Sequence, residues 1–216
     1  MRYPQQQIRI RVLQNLRWDN SLFLNTPTFI RPDQLQYSNE TEMTMPAGKE
    51  YRWLNLRSFR LLGDRVQRQE NTDKGFELFV KEDLPRLPRQ YFYYRDLNGL
   101  FINETIENIN PFWNADYAKV HFRFKPPGSM VYPDAELVIM GELTNYGKDP
   151  NAKMIFNAEQ GVYETTLFLK QGYYDYQYSL NKYFAGKEVF DGLENAVVVC
   201  NHNSLIDIPR ARGSVV

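Results

Sequence analysis

The stretch that most constrains this chain runs from Val162 to Tyr178. Val162 to Leu169 is strand-like, Lys170-Gln171-Gly172 interrupts it, and Tyr173-Tyr174-Asp175-Tyr176-Gln177-Tyr178 follows at once. With the two-residue period of a strand, Tyr174, Tyr176 and Tyr178 share one face, and Tyr173, Asp175 and Gln177 share the other. A short glycine-containing connection between two such runs predicts an antiparallel hairpin. Upstream, the apolar run Leu137-Val138-Ile139-Met140 is broken by Gly141 to Gly147, and Met154-Ile155-Phe156 is followed by a turn at Glu159-Gln160-Gly161. Residues 135–180 thus form a complete small β-sandwich pattern.

The 216 residues suit two sandwiches of about 100 residues each. Aromatic residues make up 15% of the chain, with 15 Tyr and 14 Phe, and such side chains fit pleated, half-buried surfaces. Helical spacing is scarce, so the expected class is all-β, with two tandem antiparallel sandwiches. The 26 Lys and Arg balance the 26 Asp and Glu, which argues against a basic groove for nucleic acid or an anionic membrane. A single cysteine, Cys200, makes neither an internal disulfide nor a multi-cysteine metal site. No apolar run approaches the ~18–20 residues needed to span a bilayer, so no transmembrane segment is expected. Met1-Arg2-Tyr3-Pro4 does not resemble a signal peptide, and the first strand starts by about Gln7; the chain is therefore expected to be a piece of something larger.

Along the chain, strands are expected at Ile8 to Val12, with a turn at Arg17-Trp18-Asp19-Asn20, then at Thr28 to Arg31, Met43 to Met45, Tyr51 to Leu56 and Phe76 to Val80. The polar segment from Gln67 to Lys74 reads as a mobile loop. Tyr91 to Tyr94 and Leu100 to Ile102 flank Asp96-Leu97-Asn98-Gly99, whose Asn-Gly tolerates positive φ and predicts a hairpin. That hairpin would close an N-terminal domain, residues 1–107. The second domain, residues 108–216, opens with Tyr117 to Phe124, where Ala118, Val120, Phe122 and Phe124 form one face. A further strand is expected at Ala196 to Cys200, and the tail around Arg210-Ala211-Arg212-Gly213 is expected to fray.

Chemistry is hard to place in this sequence. The acid pairs Glu40 with Glu42 and Asp191 with Glu194 sit near loops, where such pairs are common on solvated surfaces. Cys200 and His202 share a strand face but stand ~7 Å apart along it, and His121 is the only other histidine, too few ligands for a histidine zinc site. The 12 glycines are scattered at turns and form no phosphate-cradling loop. No catalytic residue, cofactor or metal is expected. The stronger candidate is an aromatic surface: Tyr146, Tyr183 and Phe184 fall in loops or at strand ends, where a flat ring can stack on a sugar or seat a partner's side chain.

Two resemblances follow from these residues. Val138-Ile139-Met140-Gly141-Glu142-Leu143-Thr144-Asn145-Tyr146, then Tyr163 to Leu169, Gly172 and Tyr176-Gln177-Tyr178 resemble the early-set, immunoglobulin-like sandwiches to which glycogen-binding modules belong. In that resemblance the stacking tryptophan is matched by Tyr146, the sugar-contacting lysine by Gln177 and the second tryptophan by about Phe184. It implies a carbohydrate-binding module of a cell-envelope glycan-handling protein.

The wider resemblance rests on Gln5-Gln6-Gln7-Ile8, Val12-Leu13-Gln14-Asn15 with Arg17-Trp18-Asp19-Asn20, Tyr51-Arg52-Trp53 with Arg57-Ser58 and Leu62-Gly63, Ala115-Asp116-Tyr117 with Val120-His121-Phe122, and above all Leu169 to Tyr178. These residues are similar to the type IX secretion system plug protein family of Bacteroidetes. The resemblance implies a non-enzymatic periplasmic protein, associated with the outer membrane, that closes the periplasmic mouth of a translocon barrel through protein–protein contacts. Family members are larger, and their aromatic, arginine-rich last strand has no match after Asn195.

Overall fold

The computed structural model describes residues 4–14, 17–39, 43–45, 49–86, 92–184, 187–192 and 206–209, with side chains for 6–14, 21–39, 43–45, 49–86 and 92–181. Among the described residues, apart from one helical turn at Pro4–Gln7 and three short 3-10 turns, the regular structure is β, so the all-β expectation holds. The strands are β1 (Ile10–Gln14), β2 (Arg17–Leu24), β3 (Phe29–Ile30), β4 (Gln34–Tyr37), β5 (Arg52–Asn55), β6 (Val66–Thr72), β7 (Gly75–Val80) and β8 (Phe101–Asn103). They continue with β9 (Tyr117–Phe124), β10 (Glu136–Met140), β11 (Ile155–Asn157), β12 (Val162–Lys170), β13 (Gly172–Phe184), β14 (Lys187–Gly192) and β15 (Ile206–Pro209).

The chain divides into two compact units, but not near residue 107. One comprises residues 1–48 with 196–216, the other residues 49–195. In the smaller unit β1 pairs with β2, and β4 lies between β3 and β15. Leu24, Leu35 and Tyr37 are buried there, with Ile8, Ile10, Val12 and Met43 packed around them. The expected turn at Arg17 to Asn20 is instead the start of β2, and Met43 to Met45 forms no strand.

The larger unit is one sandwich built from both sides of the expected boundary. In one sheet the order is β11-β12-β9-β7-β6, antiparallel except for β7 beside β9. In the other, β13 is central: its first half lies between β5 and β8, its second half between β10 and β14. Strands assigned by sequence to an N-terminal domain therefore hydrogen-bond directly to β9 and β13. The reason is hydrophobic: Leu54 of β5 and Leu78 and Val80 of β7 complete the core between β9 and β13, whose flanks would otherwise stand open to water.

The alternation legible in the sequence becomes the core. Ala118, Val120, Phe122 and Phe124 of β9 face Tyr174, Tyr176, Tyr178 and Leu180 of β13, all buried. Phe122 meets Tyr176 edge-on at 5.3 Å between ring centres, and Phe124 lies 4.6 Å from Tyr178. At about 25 cal/mol per Å² of apolar area, such rings dominate the burial energy. Gln67 to Lys74, expected as a loop, is mostly β6, a polar edge strand that turns into β7. Asn98 and Gly99 adopt the anticipated positive φ of 54° and 84°, yet β8 pairs with β13 rather than with residues 92–94.

Candidate functional site

The Lys170-Gln171-Gly172 connection is not a hairpin. β12 belongs to one sheet and β13 to the other, so these residues carry the chain across the sandwich. A short polar-glycine step serves either turn, and what decides is that Tyr174, Tyr176 and Tyr178 bury only if β13 faces β9 across the core. Gln171 is the keystone of this arch. It is buried, its N–H donates to the Asp116 carbonyl at 2.7 Å, and its Oε1 accepts from the Asp116 N–H at 3.0 Å. Its Nε2 donates to Glu107 at 3.0 Å. Gly172 follows because a Cβ there would lie 2.4 Å from the Ile102 carbonyl oxygen. Glu107 also accepts from Ser58 Oγ, the Phe59 N–H and the Arg60 N–H. Burial pushes its carboxyl upward, but these donors outweigh that and hold it below the usual carboxylate range.

Two buried carboxylates lie along β13. Asp83, just past β7 and bridged to Phe124 at the end of β9, accepts from Tyr176 Oη at 2.7 Å, Tyr178 Oη at 3.0 Å and Arg52 Nη1 at 2.9 Å, and pairs with Arg65. Arg52 is itself buried and donates a second bond to the Leu84 carbonyl. Burial and the neighbouring Asp83 charge raise both tyrosine hydroxyls well above their ordinary range, so they stay protonated donors. Asp175 sits on the opposite face of β13, fully buried, and accepts from the Leu97 and Gly99 N–H groups. Its Oδ1 has no partner among the described residues. Burial raises its pKa to about 6, against the pull of those two N–H bonds.

The outward face of the β11-β12-β9-β7-β6 sheet carries a groove of roughly 770 Å³ lined by Arg68, Phe79, His121, Arg123, Phe156 and Thr166, among others. His121 stacks on Phe79 at 4.4 Å, and the Arg68 guanidinium lies over the same ring at 3.8 Å. One imidazole nitrogen lies 2.9 Å from Thr166 Oγ1 and the other 3.2 Å from Glu77. This threonine–histidine–glutamate order resembles a proton relay in outline. However, Phe79, His121 and Thr166 occupy one cross-strand row, and Glu77 also pairs with Lys119. Cross-strand pairing accounts for every contact.

The residues singled out from sequence do not converge. Tyr146 sits after the short 3-10 turn Glu142–Thr144, half-buried at φ 53°, and burial followed by the Glu142 charge raises its hydroxyl pKa. Gln177 pairs with Met140 in the ladder and is only 4% exposed, so it is not presented to a sugar. Tyr183 and Phe184 belong to β13 by backbone, but their side chains lie outside the described residues. Glu40, Glu42, Glu194, Cys200, His202, the expected strand at 196–200 and the tail at 210–213 also lie outside them. Among the described residues, no acidic, histidine or cysteine cluster is suited to a metal ion, and no helix is long and apolar enough to cross a membrane. Sequence reasoning gave no site role to Arg52, Arg65 or Asp83, although Arg52 lies in the Tyr51-Arg52-Trp53 run.

No protein-family model and no curated protein matches the chain. Among solved structures, it is similar to a crystal structure of a hypothetical protein from Parabacteroides merdae ATCC 43184 at 2.30 Å resolution. The TM-score is 0.78 at 29% identity over 91% of this chain. The chain spans about half, 49%, of that protein's length.

Proposed function

We propose that this chain is part of a non-enzymatic component of the type IX secretion system, working in the periplasm at the outer membrane. There it plugs the translocon barrel through protein–protein contacts and needs no cofactor. The observation that carries this reading is the placement of apolar side chains outside a core that is already closed. Tyr117 and Phe168 stack on each other on the outward sheet face, and Ile155, Ile109 and Trp113 are exposed as well. Exposed apolar and aromatic groups of this kind suit a protein contact. The braced interior supports the same reading, since occluding a pore requires a body that keeps its shape. The resemblance of Leu169 to Tyr178 adds to it, because those residues build the arch and the central strand.

The test is to use the tagged chain as bait on detergent-solubilised outer membranes, with a glycan array run on the same preparation. Recovery of a large barrel protein, identified by mass spectrometry, with an empty array is the expected result. Glycan binding without a barrel would overturn it in favour of a carbohydrate-binding module.

A further inference from the structure

Three consecutive backbone N–H groups, those of Leu97, Asn98 and Gly99, are all held by carboxylates. Asp175 Oδ2 accepts from Leu97 and Gly99, and Asp96 Oδ1 accepts from Asn98 at 3.1 Å. The two acids differ in their access to water. Asp96 is half-buried, and its other oxygen accepts from the Tyr51 N–H at 2.7 Å; Asp175 is 0% exposed, and its Oδ1 has no partner among the described residues. The surroundings of Asp175 do little for a negative charge. Asp96 repels it, and Tyr173, on the same face of β13, has its own hydroxyl pKa raised by burial and by the Asp175 charge. Trp53 stands opposite on β5 and meets Tyr94 edge-on at 4.9 Å. Of the nearby cations, Arg57 lies over the Tyr173 ring at 5.9 Å, Arg95 is exposed, and Arg52 turns to Asp83 on the core side. The turn also supports a neighbouring loop. The Glu142 N–H donates to the Gly99 carbonyl at 2.7 Å, and Glu142 Oε2 accepts from the Phe101 N–H at 3.2 Å. Glu142 begins the 3-10 turn that leads to Tyr146, whose N–H donates to the Gly141 carbonyl at 2.8 Å.

We propose that Asp175 works a pH-gated latch: with its proton it keeps the 97–99 turn shut, and without it the turn opens and releases the loop 142–147 that carries Tyr146. The direction follows from what each state leaves unmatched. Ionised, Asp175 is a buried charge with two N–H donors, one oxygen without a partner among the described residues and a second carboxylate on the same turn. Opening the turn lets water reach the charge and parts it from Asp96. Neutral, it no longer carries that cost, and Oδ2 still accepts both N–H bonds. Burial lifts its pKa from 3.8 to about 6, so the shut turn is favoured in acid and loses that advantage as pH rises through about 6. The geometry also allows a local opening. Residues 92–100 belong to no strand, so the turn can leave without breaking the ladders of β13. Once it leaves, Glu142 loses the Gly99 carbonyl that holds its N–H.

The test is amide hydrogen exchange of the full chain, followed by NMR at pH 4 and pH 7.5, with the intrinsic rates divided out. Leu97, Gly99 and Glu142 should be less protected than Val120 in the core strand β9, because they exchange through a smaller opening. Between the two pH values their protection should fall by roughly fiftyfold, the linkage expected if opening returns Asp175 to its ordinary pKa. Asp175→Asn should flatten that change, and Asp96→Asn, which removes the repelling charge, should move its midpoint to lower pH. Protection equal to that of Val120 at both pH values would overturn the latch, since the turn would then open only when the sandwich unfolds. Protection of Leu97 and Gly99 that ignores pH, or a slope that survives in Asp175→Asn, would overturn it too. A response at Leu97 and Gly99 without one at Glu142 would overturn the release of the Tyr146 loop. Should the Asp175→Asn chain fail to fold, exchange in the parent decides the matter by itself.

Discussion

Asp83 and Asp175 are both buried against β13, yet they are treated in opposite ways. Asp83 accepts from two tyrosine hydroxyls and pairs with two guanidinium groups, so its charge is matched before it is shielded from water. Asp175 has two backbone N–H donors, one oxygen without a partner among the described residues and the nearby Asp96 charge, and its pKa is pushed up to about 6. Asp83 lies on the core side and locks the sheets together, while Asp175 lies on the other face and holds the 97–99 turn with a charge the fold only half supports. Burial alone therefore does not decide whether a carboxylate stabilises; the number and charge of its donors do.

The strongest way to break this comparison is Asp83→Asn. It would leave Arg52 and Arg65 buried beside a neutral amide, and removing one partner of a buried charge pair costs about 3–5 kcal/mol. Urea unfolding should show that loss as a lower midpoint with an unchanged slope. A loss below about 1 kcal/mol would mean that the four contacts to Asp83 are not the lock described.

Asp175→Asn should act in the opposite direction and more weakly. Because the folded pKa lies above the unfolded value, the native state holds a proton that the unfolded chain has released. The parent's stability should therefore be full below about pH 4, fall as pH rises to about 6, and stay reduced above it. The variant should lose that slope and gain on the order of 1–2 kcal/mol at pH 7, the linkage of about 1.4 kcal/mol per pKa unit being reduced by the new amide's unpartnered N–H. Unfolding curves at pH 4 and pH 7 check this, and a parallel pH slope in both proteins would refute it.

The smallest effect sharpens the picture of Asp83. Tyr176→Phe removes one of its donors and leaves the ring against Phe122, so the cost should be about 1 kcal/mol. A cost near that of Asp83→Asn would show the cluster to depend on the tyrosine rather than on the charges.

What the sequence revealed and what it hid divide along the same line. Strict alternation made β9 legible to the residue and put Tyr174, Tyr176 and Tyr178 on one face, which the structure makes the core face, and Asn98-Gly99 announced its positive φ. Pairing partners were not legible. A three-residue polar-glycine step serves a hairpin and a crossover equally well, so the arch at Gln171 read as a hairpin. β6 is a polar edge strand with little to bury, which gave it the signature of a loop. The Asp83 cluster joins residues 31 and 93 positions apart in the chain, and no local pattern announces such a meeting. The same blindness to pairing put a domain boundary at residue 107, across strands that share a sheet.

The claim on which the docking reading depends is that one rigid sandwich is closed by strands from both sides of residue 107. Chemical unfolding of residues 49–195 beside residues 108–195, followed by near-ultraviolet circular dichroism, tests it most directly. The longer piece should unfold in one cooperative transition. The shorter, lacking β5 to β8, Asp83 and both of its arginines, should show no transition and no fixed aromatic signal. Cooperative unfolding of residues 108–195 with the midpoint of the longer piece would contradict the account.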